Sequence, residues 1–132
     1  MKIPSDITYI KRVSSQVEDL LKANNADESD MFDIRLCLEE AIKNSIIHGN
    51  KGDKTLTVLI NYTLDSDKFT IEIEDQGQGF NIAGVPDPTT EDNLLKEGGR
   101  GVFIIRKIMD KAEYNSSGNK ICMVKFLKNR RR

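Results

Sequence analysis

Apolar positions recur at helical spacing in three stretches of the chain and alternate with polar ones in the others. After a short extended piece from Met1 to Pro4, Ser5 or Asp6 can cap a first helix. It runs to about Lys22, with Ile7, Ile10, Val13, Val17, Leu20 and Leu21 on one side. Asn24 to Asp27 reads as a break. Glu28, Ser29 or Asp30 then opens a second helix to about His48, closed by Gly49, with Ile34, Cys37, Leu38, Ala41, Ile42 and Ser45 forming a single stripe. Strict alternation follows the turn Lys51-Gly52-Asp53-Lys54. From Thr55 to Leu64 it places Leu56, Val58, Ile60, Tyr62 and Leu64 on one face. Beyond a hairpin turn at Asp65-Ser66-Asp67-Lys68, Phe69, Ile71 and Ile73 point inward and Thr70, Glu72 and Glu74 outward. The stretch from Asn81 to Glu97 has no period, holds Pro86 and Pro88, and reads as a mobile loop. A third helix is predicted from Val102 to Ala112, with Val102, Ile105, Ile108, Met109 and Ala112 on one side. A final hairpin is predicted from Tyr114 to Leu127, turning at Ser116-Ser117-Gly118-Asn119. Strands clustered after two helices point to an α+β domain, a mixed sheet with helices packed on one face.

Composition narrows this picture. The 132 residues suit one domain over 1–127 with a basic tail over 128–132, and 38% of the chain is hydrophobic, enough for a single core. Twenty Lys and Arg against 21 Asp and Glu give no basic field of the kind nucleic-acid binders use. No stretch is apolar enough to span a bilayer, and Pro4, Ser5 and Asp6 interrupt what would be a signal peptide. Membrane partners are therefore not expected, and the expected location is the cytoplasm. Cys37 and Cys122 lie in apolar surroundings without metal-site spacing and read as free thiols of a reducing compartment; His48, the single histidine, cannot alone build a histidine metal site.

Three segments carry candidate chemistry. In Glu40-Ala-Ile-Lys-Asn44 a carboxylate and a carboxamide stand one helical turn apart, with His48 next on the line. An exposed polar face is the ordinary explanation of such a pair. Asn is a poor helix former, however, and its oxygen suits Mg²⁺ held with phosphates and water, while the neighbouring carboxylate suits a general base. Glu39 is the competing acid, free to pair with Lys43 at i,i+4. In Asp75-Gln-Gly77-Gln-Gly79-Phe80 the alternation turns Asp75 inward, where a buried carboxylate needs a donor such as a backbone N–H or the amine of adenine. Gly98-Gly99-Arg100-Gly101 precedes the third helix, where bared N–H groups favour phosphate.

Glu-x-x-x-Asn with a following His48-Gly49, then Asp-x-Gly-x-Gly-Phe, then Gly-Gly-x-Gly before an apolar helix, resembles in this order the GHKL (Bergerat, histidine kinase-like) ATPase superfamily. The wording from Glu40 to Gly49 and from Gly98 to Asp110 resembles more closely the bacterial anti-sigma factor serine kinases. The resemblance implies a two-layer α/β sandwich with a mostly antiparallel sheet and about three helices on one face. It implies ATP and Mg²⁺ as cofactors. Asn44 would hold the metal, and Asp75 would accept from adenine between Gly77 and Gly79. Gly99 and Gly101 would meet the phosphates, and His48, Phe80, Gly98 and Val102 complete the nucleotide set. Glu40 would activate a serine of an anti-anti-sigma (STAS-domain) partner. A sigma factor as the sequestered target and a homodimer follow from the same resemblance. Where some members carry a transfer-assisting arginine before the Gly-rich box, this chain has Glu97; Lys96 or Arg100 is left to supply the charge. The competing expectation is a nucleotide-dependent partner-switching module with little or no kinase activity.

Overall fold

The computed structural model describes residues 1–77 and 97–128, with the backbone alone for 97–100. Positions 81–96 of the loop predicted from Asn81 to Glu97, and the candidate residues Gly79, Phe80 and Lys96, lie outside the described residues, as do positions 129–132 of the tail; Glu97 itself begins a helix.

Strand β1 (Lys2–Pro4) leads into a 3₁₀ turn (Ile7–Tyr9) capped by Asp6, whose carboxylate accepts from the Thr8 N–H at 3.0 Å, and then into α1 (Ile10–Ala23). The predicted first helix therefore starts tighter than an α-helix and becomes regular at Ile10. Helix α2 (Glu28–Asn44) is capped by Asp27, which accepts from Ser29 N–H, with Glu28 and Asp30 favourably placed in its first turn. Its stripe Ile34, Cys37, Leu38, Ala41 and Ile42 is buried as the spacing requires. Ordinary helical bonding stops at Asn44, and a π turn (Ser45–Gly49) carries the chain to Asn50.

Strands β2 (Thr57–Asp65) and β3 (Lys68–Glu74) form a hairpin closed by the Asp65↔Lys68 pair, with Ser66 at φ 53° in the two-residue turn. Helix α3 (Glu97–Ile108) is followed by β4 (Lys111–Tyr114) and β5 (Lys120–Phe126). Two sequence expectations change here. The glycines of 98–101 lie inside the first turns of α3 rather than before it, and Ala112 belongs to β4, because the helix ends at Ile108. Apolar residues at 105, 108, 109 and 112 fit a helix, but Ala112 is held by its pairing with Met123.

The sheet order is β1-β2-β3-β5-β4, and every pairing among the described strands is antiparallel, where a mixed sheet was expected. The helices cover one face. Phe69, Ile71 and Ile73 of β3 meet Ile34, Leu38 and Ile42 of α2, Val13, Val17 and Leu21 of α1, and Ile105 of α3 in one core. Each such fully buried side chain contributes about 1.5–3 kcal/mol. The opposite face carries Glu72, paired with Lys120 at 2.9 Å. Among the described residues, no helix is long and apolar enough to cross a membrane.

Candidate nucleotide-binding site

Helix α3 packs along α2 so that the residues of two distant motifs touch. A Cβ built on Gly101 would lie 2.9 Å from Glu40 Oε2 and 2.9 Å from Asn44 Nδ2, so any side chain here would push the tips of both groups aside. The sequence predicted both halves of this contact. Two buried side-chain atoms among the described residues lack a hydrogen-bond partner. One is Asn44 Nδ2, inside this contact; the other is Asp30 Oδ1 at the far end of α2, whose companion oxygen accepts from Lys128 N–H at 2.8 Å. Nothing in the structure explains the Asp30 oxygen. The Asn44 amide fits a ligand-facing group. Turning the carboxamide over would present its oxygen instead, a donor suited to Mg²⁺ held with phosphates and water, beside the Glu40 carboxylate. No cluster of three His, Cys, Asp or Glu among the described residues forms a self-sufficient metal site, so phosphates would have to complete the coordination.

Glu39 is excluded from this role by its partners. It accepts from the Ser14 hydroxyl at 2.7 Å and pairs with Arg35 at 3.7 Å; Arg35 in turn reaches Glu18 of α1 at 2.8 Å. The expected i,i+4 partner Lys43 is replaced by Arg35, because α1 supplies acceptors that hold the guanidinium on that side.

Asp75 lies at the end of β3, buried as the alternation predicted, 7% exposed. Its carboxylate accepts from Gly77 N–H at 2.9 Å. Burial raises its pKa above the ordinary value, against the Gly77 N–H and the Ser45 hydroxyl, which favour the charged form; the nearby Glu74 charge adds to the rise. The walls of this acid are glycine. A Cβ on Gly49 would fall onto the Asp75 carboxylate, and one on Gly77 would overlap the Gly49 carbonyl. The π turn thus brings the Gly49 backbone against Asp75, a close approach that its sequence neighbours do not announce; such turns recur at functional sites.

His48 is exposed on the π turn, and Val102 is buried in α3 at 3% exposure. Gly98, Gly99 and Arg100 lie in the first turn of α3, whose leading N–H groups have no partner within the helix. The structure adds three residues not singled out from the sequence as site builders: Ser45, Asn50 and Gln76. Ser45 is a buried hydroxyl in an otherwise apolar stripe, and a polar residue placed on a core face was the available signal.

A glycine-bearing helix start set on a carboxylate–carboxamide pair, with a glycine-walled acid at a strand end, makes a candidate nucleotide site on an α+β domain. The described family of histidine kinase-like ATPase domains matches residues 3–125, and the chain belongs to that family. The chain is 27% identical to the serine-protein kinase RsbW of Staphylococcus aureus strain MSSA476 over 97% of its own length and 86% of that protein. The same figures hold for RsbW of strain Newman. Among solved structures, the RsbU and RsbW domains of a Mycobacterium tuberculosis protein share the fold with a TM-score of 0.69 at 18% identity; the match covers 100% of this chain and about a third (32%) of that one. The histidine kinase domain of a blue-light activated histidine kinase from Erythrobacter litoralis follows with a TM-score of 0.55 at 17% identity, covering 95% of this chain and 62% of that one.

Proposed function

We propose that the chain binds Mg-ATP and is a protein serine kinase that phosphorylates an anti-anti-sigma partner of the STAS class and sequesters a sigma factor. On this reading it works in the cytoplasm as a homodimer. The observation that carries the reading is the meeting of Glu40 and Asn44 with Gly101, beside an amide nitrogen that has no partner. Its nearness in sequence to serine-protein kinase RsbW supports the choice of reaction.

Each residue then has a task. Asp75 takes the amine of adenine between Gly49 and Gly77, and Gly79 and Phe80 are assigned to the same nucleotide set. Gly98, Gly99 and Gly101 offer backbone N–H groups to the phosphates at the start of α3, and Val102 and His48 border the site. Asn44 holds the metal, which when bound neutralises phosphate charge. Glu40 accepts the proton of the partner's serine hydroxyl. The serine oxygen forms a bond to the γ-phosphorus while the bond from that phosphorus to the β,γ-bridging oxygen breaks, and ADP leaves. Positioning and charge neutralisation supply most of such catalysis. Lys96 and Arg100 are the cations available for the charge that develops.

A second reading has one observation in its favour: Glu97 begins α3 where an arginine would assist transfer. The domain would then bind nucleotide and switch partners without phosphorylating them. Incubation with Mg-ATP and a STAS partner, followed by intact mass measurement of that partner, separates the two. The kinase reading expects a gain of one phosphate on a serine. An unmodified partner under conditions where the complex forms overturns it and leaves the binding module.

A further inference from the structure

We propose that Asn50 is a positioning residue for the base-recognising acid Asp75: its carboxamide takes the place of a peptide group in the β2–β3 ladder and holds the strand end open. The inference rests on Asp75 meeting the nucleobase, as argued above.

The β2–β3 ladder runs from Asp65↔Lys68 to Leu59↔Glu74 and stops there. One pair further, Thr57 would face Gln76. Antiparallel strands alternate hydrogen-bonded and non-bonded pairs, and Ile60 exchanges bonds with Met1 on the β1 side. The odd positions 59 and 57 therefore direct their backbone groups toward β3. Thr57 and Gln76 should exchange N–H and carbonyl. Instead Asn50 stands between them: its Nδ2 donates to Thr57 O at 3.0 Å, and its Oδ1 accepts from Gln76 N–H at 2.8 Å. The remaining Thr57 N–H donates to the Gln76 side chain, Oε1, at 2.6 Å. A side-chain amide has the donor and acceptor geometry of a peptide, so both Thr57 groups and the Gln76 N–H keep partners while the strands stand apart by the width of the inserted group.

The insertion is built into the fold. Asn50 is 2% exposed, its second donor bond goes to Ser5 Oγ at 2.8 Å, and its backbone N–H closes the π turn on Ser45 O at 2.8 Å. Ser5 is buried too and donates to Leu56 O at 2.9 Å. Asn50 immediately follows Gly49, whose backbone walls Asp75 on one side, and it binds the N–H of Gln76, which immediately follows Asp75. One carboxamide thereby fixes the acid and its wall relative to each other. Asp75 N–H donates to Asn119 O at 2.9 Å, which anchors the acid from the β5 side. Remove the carboxamide, and Thr57 and Gln76 can pair directly, which draws the acid toward β2 and out of register with the base.

The test compares nucleotides that differ only in the base. ATP and GTP share ribose and phosphates, so the ratio of their affinities, measured by calorimetry with Mg²⁺, isolates the base end. In Asn50→Ala the ATP affinity should fall about tenfold and the preference for ATP over GTP should shrink several-fold. A general loosening of the fold would weaken both nucleotides alike. A folded Asn50→Ala protein with the parental ATP-to-GTP ratio overturns the proposal. The parent protein supplies a second measurement that needs no variant: the Gln76 amide should exchange slowly with deuterium, and free exchange there also overturns the proposal. Absence of ATP binding by the parent is a different result, since it removes the proposed function itself.

Discussion

The seam between α2 and α3 has two polar ends. Near the C-terminus of α3, Lys125 of β5 is only 4% exposed, donates to the Ile108 carbonyl at 2.9 Å and pairs with Asp33 at 3.4 Å. Cation, carboxylate and helix-end carbonyl satisfy one another. Seven and eleven residues further along α2, on the same line of the helix, Glu40 and Asn44 meet Gly101 near the N-terminus of α3. There the amide nitrogen has no partner. Between them, burial and the Asp33 charge push the Cys37 thiol up to about 12, so this part of the seam offers no thiolate. A buried polar cluster that only holds a fold closes on itself, because an unmade hydrogen bond is expensive. The Asn44 end does not close in this way, and on the proposed reading a nucleotide with its metal completes it.

The contrast breaks most sharply at Asn44. In Asn44→Ala the affinity for Mg-ATP should fall by about a hundredfold or more, while thermal stability changes little, because no internal hydrogen bond of the Nδ2 group is lost. Calorimetry and a melting curve on the same sample check both halves. Parental ATP affinity in this variant removes the meaning given to the open end.

Lys125→Met reverses the pattern. It strips the Ile108 carbonyl and Asp33 of their shared donor, and denaturant unfolding should show a loss of about 1–3 kcal/mol, moderated because Asp33 keeps some water contact. ATP affinity of the folded protein should stay within about twofold. A large loss of affinity with unchanged stability would show that the closed end also serves the ligand.

Gly101→Ala sharpens the comparison without deleting either end. The added methyl meets only the tips of Glu40 and Asn44, which can swing aside, and alanine is the better helix former, so the fold should survive. On the proposed reading the displaced tips are the base and the metal ligand, and ATP-dependent phosphorylation should drop about tenfold or more. Full activity in this variant would mean that the close approach of α3 is incidental.

Much of this arrangement was legible in the sequence, and the gaps have physical reasons. Period-two alternation turned Asp75 inward because strand faces are set locally, and the α2 stripe was readable because each apolar side chain had one face to choose. The partner of Glu39 was not readable, since Ser14 and Glu18 come from another helix. Glycines at 98, 99 and 101 argue against helix by propensity, yet α3 takes them in; at Gly101 the backbone lies directly against the tips of Glu40 and Asn44. Asn50 falls between the helix end at Gly49 and the turn starting at Lys51, and nothing in its sequence neighbourhood marks it. Its role depends on two strand ends that sequence separation hides, Thr57 seven residues on and Gln76 twenty-six.

Asp75, outside the seam at the end of β3, is intermediate in character: its carboxylate has a backbone partner in Gly77 N–H, yet burial still raises its pKa above the ordinary 3.8. The sign of the resulting pH dependence follows from the direction of that shift. Below 3.8 the carboxyl is protonated in both folded and unfolded chains and contributes nothing. As pH rises through the window above 3.8, the unfolded chain releases its proton first and gains; once the folded carboxyl has also ionised, the penalty is complete. Asp75→Asn has no charge to desolvate and can still accept from Gly77. It should therefore melt a few degrees above the parent at neutral pH, with the difference fading as pH falls through the window toward 3.8. Its hydrogen bond to a nucleobase amine becomes neutral, so ATP affinity should fall only about fivefold to tenfold. A variant less stable than the parent at neutral pH would mean that the Asp75 charge is satisfied without ligand, and that the acid belongs with the closed end of the seam.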